Sequence, residues 1–68
     1  MAAPWRPEDV IYEFHHIGGT VKVTAVDPAS GIEVASVASP ALSESEMMRL
    51  ARRKLEYVLA KKGVIPPQ

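Results

Sequence analysis

Two adjacent histidines, His15 and His16, are the first residues whose type suggests chemistry, because imidazole nitrogens are common metal ligands. They lie in residues 10–17, VIYEFHHI, where β-branched and aromatic residues predict a strand. Neighbouring side chains of a strand point to opposite faces, so the two rings do not readily bind one ion. The chain also has no Cys. We therefore expect no metal site and no cofactor.

The serines offer hydroxyl nucleophiles, but none stands in the Gly-x-Ser-x-Gly pattern that exposes a catalytic serine. Their positions in predicted turns and at a helix start are explained by hydrogen bonding to the backbone. The pair Gly18-Gly19 is too short for a phosphate-binding loop, and no Lys-Ser or Lys-Thr follows it. A domain this small also has little room for a pocket of ~300 Å³ or more. We predict that the protein is not an enzyme and has no catalytic residues.

The clearest binding signal is a group of basic residues within one predicted helix. The group consists of Arg49, Arg52, Arg53 and Lys54. Such a face can contact phosphates, so nucleic-acid binding through these four residues is the alternative function. Against it, the formal net charge is +0 and the pI is about 6.7, whereas the pI of a nucleic-acid-binding domain usually exceeds ~9. Glu46 and Glu56 also stand three or four residues from arginines and can pair with them.

These residues must be positioned by three strands and one helix. Residues 10–17 and 20–26 alternate in the manner of half-buried strands and are joined by Gly18-Gly19, a combination typical of a β-hairpin. Asp27-Pro28-Ala29-Ser30-Gly31 has the composition of a turn, and residues 32–38 form the predicted third strand. The apolar alternation blurs after Val34, so we expect a bulge or a frayed end there. We also expect outward-facing Lys22 and Glu33 to support the pairing of their strands.

Residues 43–62 predict the helix, beginning with the capping-box pair Ser43 and Glu46. One side of this helix is apolar and the other is charged, which is typical of a helix packed on a sheet. The predicted fold is therefore α+β: a three-stranded antiparallel β-meander covered on one face by a single C-terminal amphipathic helix, in the order βββα.

A single domain follows from the length of 68 residues. We expect it to span residues 8–65, with an extended N-terminal arm at residues 1–7 and an extended end at residues 66–68. The arm contains Trp5 between two prolines, and we expect this ring to dock on the core. The absence of Cys, of a long apolar run and of a secretory signal predicts a cytoplasmic protein without a membrane span.

The face of the sheet that points away from the helix carries a mixture of apolar and charged residues. It is the predicted partner-binding surface, with the residues Ile11, Glu13, His15, Ile17, Lys22 and Val37. The edge of the third strand offers a second route, by strand addition. We predict a small non-enzymatic interaction module whose partner is another protein or a second copy of the chain.

The segments VIYEFHHIGGTVKVTAVDPASGIEV and LARRKLEYVLAKKG together resemble a family of short, functionally uncharacterised bacterial proteins associated with alphaproteobacteria. The resemblance covers about residues 9–63. It implies a stand-alone intracellular protein with a βββα layout, and it supplies no catalytic residue, cofactor or partner.

Overall fold

The computed structural model describes residues 5–67. A single turn of 3-10 helix, three strands and one α-helix follow one another: Pro7–Asp9, β1 (Ile11–Ile17), β2 (Thr20–Val26), β3 (Glu33–Ala38) and α1 (Glu44–Lys61). The strands form one antiparallel sheet in the order β1-β2-β3. The predicted βββα fold is therefore confirmed.

The hairpin between β1 and β2 closes at the pair Ile17 and Thr20, which leaves Gly18 and Gly19 as its two-residue turn. Gly18 has φ +58, whereas Gly19 is not in the left-handed region. A positive φ at the first central residue alone fits a type II′ turn, in which glycine avoids a steric penalty. The glycine pair thus explains why β1 returns directly into β2.

The third strand shows that the expected bulge after Val34 is wrong. Pairing with β2 continues without interruption from Glu33 opposite Val26 to Ala38 opposite Val21. Ser36 takes the inward position that the pattern of apolar residues obscured, and it is half-buried there. A small side chain fits this site, so the strand keeps a regular alternation although its sequence does not.

The expected support from Lys22 and Glu33 is also wrong. Lys22 lies opposite Val37, and Glu33 lies opposite Val26. The turn determines this register, because the amide of Asp27 donates to the carbonyl oxygen of Ile32 at 2.9 Å and so fixes where the strands begin to pair. The two charged residues consequently lie in different rows of the sheet.

The core lies between α1 and the inner face of the sheet. Its fully buried residues include Val21, Val23 and Ala25 of β2 and Leu55 and Leu59 of α1. The helix packs against β2 and β3, and its contact with β1 is slight. Burying a Leu or Val side chain contributes about 1.5–3 kcal/mol, so the contact between α1 and β2 contributes much of the stability.

The two ends of the chain add to this core. Trp5 is half-buried against the core cluster, as the arm's aromatic ring was expected to be, and Ile65 is buried after the helix has ended. Pro7 begins the 3-10 turn rather than ending an extended segment. The remainder of the predicted arm, residues 1–4, and the last residue of the predicted C-terminal end, residue 68, lie outside the described residues.

Asp27 organises the turn between β2 and β3. It is only 1% exposed, yet its carboxylate accepts hydrogen bonds from the amides of Ala29 and Ser30 and from the Ser30 hydroxyl, the last at 2.7 Å. A buried carboxylate is tolerated when its oxygens have such donors. The residue therefore has a structural role that accounts for its burial.

Replacing Asp27 with Ala should lower the free energy of unfolding by about 2 kcal/mol, because the amides of Ala29 and Ser30 and the Ser30 hydroxyl lose their acceptor. Asp27→Asn retains one acceptor oxygen and should lose less. Urea denaturation measures both. Asp9→Ala is the control: Asp9 is exposed, and an exposed change of this kind is usually worth less than ~0.5 kcal/mol. Equal losses in the Asp9 and Asp27 variants would contradict the assigned role.

The start of α1 is held by the predicted capping box. The amide of Glu46 donates to the Ser43 hydroxyl at 3.2 Å, and the amide of Ser43 donates to the Glu46 carboxylate at 2.9 Å. Bonding from the Ser43 backbone and then its side chain lowers the pKa of the Glu46 carboxyl. The ionised form of Glu46 is therefore favoured in the folded protein.

Because the pKa of Glu46 is lowered in the folded state, this residue stabilises the fold at pH values above its ordinary pKa of 4.5. That stability is lost as the pH falls through the lowered pKa. We expect the urea midpoint of the wild-type protein to exceed that of Glu46→Gln at pH 7, and this difference to shrink as the pH is lowered below 4.5. A difference that persisted at low pH would contradict this assignment.

Candidate functional site

The outer face of the sheet, defined as the face turned away from α1, contains all of the residues predicted to bind a partner. Strand alternation brings every one of them to this face, and all are exposed: Ile11, Glu13, His15, Ile17, Lys22 and Val37. His16 points to the opposite side from His15, so the histidines are separated as expected. Within the described chain, no group of three or more potential metal ligands occurs.

Cross-strand rows order this outer face. One row contains His15, Lys22 and Val37, and the next contains Glu13, Thr24 and Ala35. The rows at the two ends of the face each contain one of the isoleucines, Ile11 or Ile17. The exposed fractions of Val37, Ile17 and Ile11 are 72%, 60% and 53%, respectively. The outer face therefore has charged residues in its two middle rows and an isoleucine in each end row. Val37 lies on β3, and Glu33 shares the end row of Ile11.

The free edge of the sheet at β3 is contacted by the helix. The hydrogen bond from the Asp27 amide to the Ile32 carbonyl oxygen sets the alternation of hydrogen-bonded and non-hydrogen-bonded pairs between β2 and β3. Thr24 and Ala35 form a non-hydrogen-bonded pair, so the backbone groups of Ala35 point to the free edge. The Lys54 ammonium donates a hydrogen bond to the Ala35 carbonyl oxygen. A lysine at this position occupies part of the edge that a further strand would need, which weakens the predicted route by strand addition at β3.

The four basic residues of the alternative site have different environments. Lys54 contacts the β3 edge, while Arg52 is half-buried on the side of α1 next to Tyr12. Arg49 and Arg53 are exposed. Lys54 and Arg52 thus differ from Arg49 and Arg53 in their local environments.

A groove between β1 and α1 is a feature that sequence reasoning missed. It has a volume of about 230 Å³, is open to solvent, and is lined by Tyr12, Ser45, Met48, Arg49 and Arg52. Burial raises the pKa of the Tyr12 hydroxyl, the charge of Arg52 opposes this shift, and that of Glu56 adds to it. The phenol is therefore a protonated donor at neutral pH, and the two charged side chains are close to it.

A second hollow, of about 370 Å³, lies at the end of α1 and was also missed. It is lined by Tyr57, Ala60, Lys61 and Pro67. The Lys61 ammonium lies 5.3 Å from the centre of the Tyr57 ring, within the range of a cation–π contact. The signal in the sequence is that Tyr57 stands off the buried stripe of the helix, in line with Leu50, seven residues earlier.

These features define a small α+β domain whose sheet is covered by a helix on one side only. A family model described as "Domain of unknown function (DUF6898)" matches residues 7–62, and the chain belongs to this uncharacterised family. Comparison with curated proteins and with solved structures gave no match. In the part of the chain that the structure describes, no helix has the length and apolar character needed to cross a bilayer.

The contact of Lys54 with β3 can be tested by comparing two substitutions that each remove one helix charge. Lys54→Met should shift the carbonyl 13C resonance of Ala35, because that oxygen loses its hydrogen bond. Arg53→Met should leave this resonance in place. Similar shifts in both variants, or in neither, would show that Lys54 is as free in solution as Arg53.

Proposed function

We propose that this protein is a non-enzymatic self-association module that uses the outer face of its sheet to bind a second copy of itself. The observation that carries the proposal is that one helix covers one side of the sheet, while Ile11, Ile17 and Val37 remain more than half exposed on the other. Apolar residues grouped on one face favour a contact that removes them from water.

The pattern of the outer face supports a second copy as the partner. Consider a two-fold axis that lies between the sheets, perpendicular to the strands, and passes between the rows of His15 and Glu13. It sets Ile17 of one copy over Ile11 of the other, and His15 over Glu13. On β3 the same axis sets Val37 over Ala35. Apolar residues thus meet apolar residues, and a carboxylate meets an imidazole.

A two-fold axis parallel to the strands gives a less favourable dimer. A two-fold axis parallel to the strands and centred on β2 sets Lys22 over the same residue of the second copy, and brings Ile11 over Glu33. Like charges that face each other in an interface oppose association. The proposal therefore specifies an arrangement in which strands of the two copies run antiparallel across the interface.

The size of the outer face indicates a weak dimer. With strands of about seven residues, a rise of ~3.3 Å per residue and a spacing of ~4.8 Å, the face measures roughly 330 Å². Two such faces total roughly 700 Å², less than the ~1,200–2,000 Å² of a standard stable interface. We expect association in the high micromolar range, which a local rise in concentration or a further contact would strengthen.

Nucleic-acid binding through Arg49, Arg52, Arg53 and Lys54 has less support. Lys54 donates to a backbone carbonyl and Arg52 is half-buried, so two of the four side chains are already partly engaged within the domain. As part of the proposal, we expect the protein to act in the bacterial cytoplasm. The absence of Cys and the resemblance described above support that location.

A charge-exchange experiment tests the proposed dimer. Ile11→Glu and Ile17→Lys should each weaken association in sedimentation equilibrium, where the wild-type mass should rise from 7.4 kDa towards twice that value. The double variant should recover association, because the proposed axis sets the two substituted positions opposite each other. Both positions are exposed, so the fold should persist by circular dichroism.

Leu50→Glu is the matched control, since Leu50 is an exposed apolar residue on α1 and away from the outer face. It should leave association unchanged. A wild-type protein that stayed monomeric at all concentrations would contradict the proposal. A double variant no better than the single variants would contradict the specified orientation.

A further inference from the structure

We propose that the groove between β1 and α1 binds the phosphate or carboxylate group of a small organic anion. This inference does not depend on the proposed dimer, because the groove lies on the helix side of the sheet. Its starting point is Arg52, whose Nε atom is buried and has no hydrogen-bond partner among residues 5–67. Buried polar atoms usually have a partner. The same guanidinium belongs to a residue that lines the groove, and its other N–H groups are donors for an anion bound there.

The lining of the groove supplies several donors suited to an anionic oxygen. Arg49 and Arg52 bring two guanidinium groups, and Tyr12 and Ser45 bring two hydroxyls. A planar guanidinium can donate two parallel hydrogen bonds to one carboxylate or phosphate. Among residues 5–67, the ion pairs within 4.0 Å all involve Arg6. Neither groove arginine is therefore neutralised by a directly bound carboxylate of these residues.

The remaining lining limits what kind of anion fits. Met48 and the ring of Tyr12 provide apolar surface beside the donors. The volume of about 230 Å³ lies below the ~300–1,000 Å³ typical of pockets for drug-sized ligands. The groove therefore suits one anionic group attached to a short apolar or aromatic body, as in an aryl phosphate.

Nearby acidic residues moderate the attraction. Glu56 is close enough to raise the pKa of Tyr12, and Arg49 contributes to lowering the pKa of Glu46. Both carboxylates oppose the approach of an anion, while the raised pKa keeps the Tyr12 hydroxyl protonated and able to donate. Binding should therefore depend on hydrogen bonds at the groove more than on the overall charge of the helix.

The test is an NMR titration of the full chain with phenyl phosphate, alongside inorganic phosphate. We expect saturable shifts at Ser45, Met48 and the Arg52 side chain, with phenyl phosphate binding more tightly because its ring contacts Met48. Arg52→Gln should weaken binding about 10-fold, because the anion loses a charge-assisted hydrogen bond. Arg49→Gln, at an exposed position, should weaken binding in the same direction and guards against a folding defect at Arg52.

Arg53→Gln is the matched control, because it removes the same charge from the same helix at a position that does not line the groove. It should change affinity less than 2-fold. An equal loss in the Arg53 and Arg52 variants, or shifts spread over the whole basic face, would overturn the site in favour of diffuse attraction for polyanions. The absence of saturable shifts with phenyl phosphate would also overturn it.

Discussion

The packing of one helix against the central strand is the interaction on which this structure depends. Leu55 and Leu59 of α1 are fully buried in the same core cluster as Val21 and Val23 of β2, which are equally inaccessible. A helix is about 10–12 Å across, whereas three strands at ~4.8 Å spacing are wider, so one helix cannot cover them all. Because α1 packs on β2 and β3, β1 has little helix cover and the outer face has none.

The two proposed binding surfaces both follow from this incomplete cover. On the helix side, the limited contact with β1 leaves Tyr12 half-buried and opens the groove towards Arg52. On the other side, Ile11 and Ile17 remain exposed at the ends of a charged surface. A domain of 68 residues has little core to spare, so a second copy on the outer face would also add stability that the monomer lacks.

The fold could be predicted because its local signals agree. Alternation, the Gly18-Gly19 turn and the capping box at Ser43 each specify one step of βββα. The register of β3 could not be predicted, because Ala35, Ser36 and Val37 differ too little in polarity to show which of them face the core. The six residues predicted to bind a partner were grouped correctly on the outer face by strand alternation. The groove was missed, because the proximity of Tyr12 to Arg52 depends on where the helix lies across the sheet, which no local pattern encodes.

The central claim is that the outer faces of two copies meet with antiparallel strands. An isotope-filtered NOE experiment on an equal mixture of labelled and unlabelled protein tests it most directly, at the highest concentration at which the protein stays dissolved. The account predicts intermolecular contacts between the methyl groups of Ile11 and those of Ile17 of the other copy. Intermolecular contacts confined to α1, for example around Tyr57, or none at all, would contradict it.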